Sequence, residues 1–176
     1  DGKIVFAGQD KDAEAFESSE TVDLGKKAVI PGMADSHMHM YAYCQNQTFV
    51  NLEQAESIDE LISIMKKKAG ETPKGSWIKG VNFDQTKFPE NRFPTRHDLD
   101  KISTNHPIVV KRCCLHAVVA NTKALEIAGV GPGYDPGSGG IVEFEEAGSP
   151  NGILKEQSTQ VFDDLMPDPF LDQDQK

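Results

Sequence analysis

Positive charge is in short supply: 18 lysines and arginines face 28 aspartates and glutamates, giving a formal net charge of −10 and a pI near 4.9. A surface of that sign repels phosphate backbones and anionic headgroups, so neither nucleic acid nor membrane is expected as a partner. A small neutral or cationic molecule stays open. Long apolar runs are missing as well. No uncharged stretch approaches the roughly 20 residues that span a bilayer, and nothing has the layout of a signal peptide. Cysteine is scarce: Cys44 and the adjacent Cys113-Cys114 offer neither an even disulfide framework nor a C-x-x-C zinc spacing. They read as buried free thiols of a reducing compartment, which points to the cytoplasm. The chain has no internal repeat. Its Gly-rich stretch, 131–140, lacks both a Walker lysine and a G-x-G-x-x-G pattern, so a phosphate cradle is not expected.

What is present suits one domain, or one and a fraction, across 176 residues. Alternation predicts short extended pieces at Lys3–Ala7, Glu20–Leu24 and Lys27–Ile30, with a helical turn near Asp10–Phe16. Ser57, with Glu60 three residues on, caps an amphipathic helix that Gly70 stops. Trp77–Asp84, Ile108–Arg112, Leu115–Ala120 and Gly140–Phe144 read as strands, and Trp77 and Phe83 as core aromatics. Thr95 and Asn121 cap short helices. A turn at Gly148–Gly152 precedes a last helix over Ile153–Leu165, with Glu156 near its start, favoured there by the helix dipole. The acidic run Glu143–Glu146 reads as a solvated hairpin, and His97 and His106 as surface or capping residues. The chain opens on Asp1-Gly2, a hairpin turn without its preceding strand, and closes on the polar tail 172–176. Both ends read as cuts in a longer protein.

The richest segment is Val29-Ile30-Pro31-Gly32-Met33-Ala34-Asp35-Ser36-His37-Met38-His39. On a strand, period-two geometry turns His37 and His39 to one side, about 6.5–7 Å apart at Cα, where both imidazoles can share a metal ion. Asp35 lies beside them, either as an orienting carboxylate or as a polar cap for the turn after Pro31-Gly32. The alternative for the whole segment is a solvated loop after a core strand.

An ordered series of further motifs runs along the chain. Asp1-Gly2-Lys3-Ile4 with Gly8 is followed by the segment above, then Trp77-Ile78, Gly80 and Phe83-Asp84-Gln85. Pro94-Thr95-Arg96, Asp98-Leu99-Asp100, His116-Ala117, Asn121, Ala124-Leu125, Gly139-Gly140-Ile141 and Gly152-Ile153-Leu154-Lys155-Glu156 complete it. Together these resemble the amidohydrolase superfamily, and within it the amidohydrolase-3 or YtcJ-like branch of metal-dependent hydrolases.

The resemblance implies an α/β fold, here an α+β fragment of a (β/α)8 barrel beside a small β-sandwich. It implies that residues 1–27 are part of the sandwich and 28–49 the first barrel strand with its following loop. Residues 50–152 become an α/β insertion domain, and 153–176 a helix and tail leading towards the barrel, which is incomplete in this chain. It further implies a metal-dependent amidohydrolase that cleaves a carbon–nitrogen bond other than a peptide bond, in a small amide-like substrate, with deamination as the variant chemistry. His37 and His39 are the metal ligands. Asp84, Gln85 and His116 are the substrate-binding candidates, and no catalytic residue lies within the chain. The cofactor is a divalent metal, one or two ions. Zn²⁺ suits imidazole, with Mn²⁺, Fe²⁺ and Co²⁺ open. A homo-oligomer is the expected assembly. A non-catalytic binding or regulatory module on a hydrolase scaffold is the alternative.

Overall fold

Ile108, Val109 and Val110 form an unbroken β-branched run that is wholly buried, the pattern of a strand covered on both faces. This strand, β3 (Ile108–Arg112), lies inside a six-stranded sheet of order β1-β2-β3-β4-β6-β5. The other strands are β1 (Val50–Asn51), β2 (Ile78–Phe83), β4 (Ala117–Ala120), β5 (Gly140–Phe144) and β6 (Pro150–Glu156). The structure is a computed structural model that describes residues 2–170. The opening turn at Asp1 and the polar tail 172–176 lie outside those residues.

Alternate side chains divide between two cores. Ile108, Val110, Val119 and Ile153 face Leu61, Met65 and Leu99 on one side of the sheet. Val109, Val118, Ala120 and Leu154 face Leu125, Val130 and Phe162 on the other. On the first side pack α3 (Ile58–Glu71) and α4 (Arg96–Asp100), and on the second α5 (Thr122–Ile127) and a 3₁₀ segment, Gln157–Phe162. The result is a three-layer α/β unit. At Gly80 a Cβ would stand 2.6 Å from Leu52 Cδ1, so only glycine lets β2 and the Leu52 side chain approach this closely.

The caps follow the sequence. The Ser57 hydroxyl accepts the Glu60 N–H at 3.1 Å, and the Asn121 side chain accepts the Ala124 N–H at 2.9 Å. Asp98 reaches back to accept the Thr95 N–H at 3.0 Å and binds Arg92 at 2.6 Å. Burial pushes the Asp98 carboxyl up, but Arg92, the Thr95 N–H and Lys101 outweigh it and hold the group far below the usual carboxylate range. Phe83 is fully buried, and Trp77 is half-buried with its ring edge-on to Phe162 at 6.4 Å.

Several expectations are corrected. The segment Ile153–Leu165 is not a helix: β6 runs through Glu156 and gives way to the 3₁₀ segment. Pairing on both sides, with β4 and β5, overrides the helical character of Ile153–Glu156, and Glu156 ends a strand where a helix start was expected. The tight turn lies earlier, where the Gly148 N–H donates to the Glu145 carbonyl, and Pro150 opens the strand. Acidic Glu143 and Glu145 do sit on the β5–β6 hairpin, but paired with Lys155 and with Arg96 and His97. His106 is not a surface residue; it is 4% exposed, with Nδ1 donating to the Ser76 carbonyl. The cysteines are not buried either. Cys113 and Cys114 occupy the β3–β4 turn and are exposed, and Cys44 is half-buried.

The chain divides into two units, Asp1–Met38 and His39–Lys176, and the sheet belongs to the second. In the first, residues 2–38 hold no strand. Lys3–Ala7, Glu20–Leu24 and Lys27–Ile30 pair with nothing among the described residues, and unpaired backbone is not a strand. The turn of helix α1 (Asp10–Ala13) does form, and Phe6 stacks on Phe16 at 5.0 Å. In the second unit α2 (Met40–Thr48), which no periodicity announces, begins where the Tyr43 N–H donates to the His39 carbonyl.

Candidate functional site

Strand direction decides where the candidates meet. β1, β2 and β3 are mutually parallel, β4 opposes β3, β6 opposes β4, and β5 opposes β6. The carboxyl ends of β1, β2, β3 and β6 therefore share one end of the sheet with the amino ends of β4 and β5. In open α/β sheets that end is where ligands bind.

Asp84, Gln85 and His116 all lie there. Arg112, the last residue of β3, gathers the first two: Nε donates to Gln85 Oε1 at 2.7 Å, and Nη2 lies 3.4 Å from Asp84 Oδ1. Asp84 also accepts the Thr86 N–H and hydroxyl, and these bonds, led by the hydroxyl, hold its carboxyl below the ordinary value. It is thus an anchored carboxylate at neutral pH. His116 is held separately, its Nδ1 3.1 Å from Glu156 Oε2, while the Glu156 N–H donates to the His116 carbonyl at 2.8 Å. Beside these groups lie two crevices. One, of about 380 Å³, is lined by Glu53, Asn82, Asp84, Lys87 and Cys113. The other, of about 340 Å³, includes His116 and Glu156 with Lys111 and Asp163 in its lining. A more apolar cavity of about 400 Å³, against α5 and Pro150, holds none of the candidates.

Backbone strain concentrates at the same end. Of the non-glycine residues with left-handed φ, Asn82 (67°) lies one residue before the end of β2, Leu115 (69°) in the turn after β3 and Glu156 (55°) at the end of β6. Asn82 sits at a register shift between β2 and β3, and its amide donates to Asn51 Oδ1 at 3.2 Å. Such bulges re-aim side chains next to functional sites. Arg112 and Glu156 complete the arrangement; from sequence Arg112 was read only as the end of a strand and Glu156 only as a carboxylate at a helix start. A cation closing a buried β-branched run was the available signal for Arg112.

His37 belongs to the first unit, which ends at Met38, and His39 opens the second. Neither residue lies in a strand. Asp35 accepts the His37 backbone N–H at 3.0 Å, which is the turn-capping alternative of its two expected roles. Among the described residues no three His, Cys, Asp or Glu side chains group closely enough to hold a metal ion. No helix among them is long and apolar enough to cross a membrane.

The chain is similar to known proteins across most of its length. N-substituted formamide deformylase of Arthrobacter pascens is 29% identical over 164 residues, covering 91% of this chain and 30% of that protein. YtcJ of Bacillus subtilis (strain 168) is 30% identical over 157 residues, 88% of this chain and 30% of that protein. The chain thus spans about 30% of the length of these relatives. Among solved structures, an uncharacterised metal-dependent hydrolase from Pyrococcus horikoshii OT3 superposes with a TM-score of 0.50 at 31% identity, over 73% of this chain and 23% of that one. Residues 20–176 match the amidohydrolase family Amidohydro_3, a span that holds the His37-Met38-His39 motif and the whole sheet. On that match the chain belongs to the amidohydrolase-3 family, in its YtcJ-like branch.

Proposed function

We propose that this chain is part of a metal-dependent hydrolase that cleaves a carbon–nitrogen bond other than a peptide bond in a small, amide-like molecule. The family match through His37-Met38-His39 carries the reading, supported by relatives named as a formamide deformylase and a metal-dependent hydrolase. In this reading residues 1–27 contribute to a β-sandwich and 28–49 to the first strand of a (β/α)8 barrel. Residues 50–152 are the inserted α/β domain, and 153–176 lead back towards the barrel.

The donor set fits a metal in part. Two imidazoles at His-x-His spacing suit Zn²⁺, which takes four donors, so His37 and His39 supply half of a centre completed by residues other than those described. When bound, such a metal supplies Lewis acidity towards a carbonyl and lowers the pKa of water. The residues of this chain bind and orient. Asp84, fixed by Thr86 and Arg112, presents an acceptor for an amide N–H. Gln85 is fixed by the same guanidinium, and His116, steadied by Glu156, offers a ring nitrogen to a polar substituent. Deamination of a ring amidine uses the same machinery, and a substrate screen separates the two.

Metal analysis of the full-length protein tests the ligand assignment. His37→Ala and His39→Ala are expected each to lower bound metal by about 10-fold or more at limiting metal, with the fold retained by circular dichroism. Undiminished metal in both variants would overturn the assignment and favour a non-catalytic binding module.

A further inference from the structure

The β3–β4 connection carries chemistry that amide hydrolysis does not use. The Leu115 N–H donates to the Arg112 carbonyl at 3.0 Å, so Arg112–Leu115 is a β-turn with Cys113 and Cys114 at its two central positions. Both thiols are exposed, and the turn exits through Leu115 at a left-handed φ of 69°. Arg112, which directly precedes the pair, has its Nε held by Gln85 Oε1 at 2.7 Å, so a fixed cation stands at the head of the turn. Cys113 faces the neighbouring crevice with Asp84 and Lys87. An exposed thiol beside a fixed cation, with a second thiol one residue away, has the layout of a reactive sulfur and its resolving partner.

We propose that Cys113-Cys114 is a modification site for hydroperoxides, in which Cys114 is oxidised first and Cys113 closes a vicinal disulfide on it. The Cys114 thiolate attacks the terminal oxygen of the hydroperoxide. An S–O bond forms, the O–O bond breaks, and the alcohol leaves with a proton. The Cys113 sulfur then attacks the sulfenic sulfur; the S–S bond forms and the S–O bond breaks, releasing water. Two thiols lose two electrons to one peroxide, with one alcohol and one water as products. Partial burial pushes the Cys114 thiol up, but Arg112 and the His116 backbone N–H outweigh it and leave the group below an ordinary thiol, which supports the order of events. Adjacent Cα atoms lie about 3.8 Å apart, short of the roughly 4.4–6.8 Å usual for a disulfide, so the bridge is strained and readily re-reduced by dithiols.

The test treats the whole chain at pH 7 with one equivalent of tert-butyl hydroperoxide, followed by intact mass and peptide mapping. Loss of two hydrogens from a monomer, with Cys113 and Cys114 linked and dithiothreitol restoring the mass, is expected. Cys113→Ser should stop at a dimedone-trapped sulfenic acid on Cys114, whereas Cys114→Ser should be oxidised at least about threefold more slowly. In Arg112→Gln the pH profile of Cys114 alkylation should move to higher pH. Half-buried Cys44 is the internal control. The proposal fails if Cys44 is consumed as fast as Cys114, if only intermolecular dimers form, or if the two serine variants react alike.

Discussion

Val29-Ile30 and Val109-Val110 are near-identical dipeptides in sequence and opposites in structure. The first pair is 73% and 66% exposed; the second is fully buried at the centre of the sheet. Both follow the same propensity for extended backbone. What separates them is partners: β3 is hydrogen-bonded to β2 and β4 and covered by a core on each face, whereas nothing among the described residues pairs with Val29-Ile30. Extended propensity is realised only where a neighbouring strand closes the hydrogen bonds and an opposing layer takes up the side chains.

The sharpest way to break that contrast is to truncate one apolar side chain in each region. Phe83→Ala, fully buried with Phe93 edge-on at 5.9 Å, should cost about 3–5 kcal/mol in urea denaturation. Asn121→Ala comes next, at about 2–4 kcal/mol. Its amide accepts the Ile108 and Ala124 N–H groups and donates to the Ser103 and His106 carbonyls, so removal orphans buried groups on three segments as well as a helix cap. Equal stability of Asn121→Ala and the parent chain would show that water reaches this junction.

Asp98 supplies a smaller and pH-dependent effect. Its folded pKa is depressed below the unfolded value of about 3.9, so its contribution is complete above that pH and is lost as pH falls through and below it. Asp98→Asn should therefore cost about 1.5–3 kcal/mol at pH 7 and flatten the acid limb of a stability–pH curve. An unchanged acid limb would locate the acid lability elsewhere. Smallest of all, Ile30→Ala should change stability by no more than about 0.5 kcal/mol in this 176-residue chain. A loss near that of Phe83→Ala would mean that residues 28–30 are packed, and the contrast between the two regions would collapse.

How far the sequence could be read depended on how local each signal was. Ser57, Thr95 and Asn121 were legible as helix starts because a cap acts within three or four residues. β2, β3 and β5 were legible as β-branched or apolar runs between breakers. The misreading of Ile153–Leu165 has the opposite origin, since only pairing with β4, distant in sequence, and with β5 across a hairpin reveals its first residues as a strand. Asp84, Gln85 and His116 were visible through the motif series, but neither Arg112, which binds the first two, nor Glu156, which holds the third, could be assigned to them from spacing. Those contacts span 27, 28 and 40 residues.

By itself the sequence determined the family, through motifs whose order survives without any coordinates. It also determined the local caps and turns, because those bonds close within a few residues. Tertiary structure alone decided which end of the sheet gathers the polar groups, since that follows from the relative direction of six strands. It decided, too, that the adjacent cysteines stand exposed at a turn beside a fixed arginine, because solvent access depends on the layers that pack around a residue more than on the residue's own hydrophobicity.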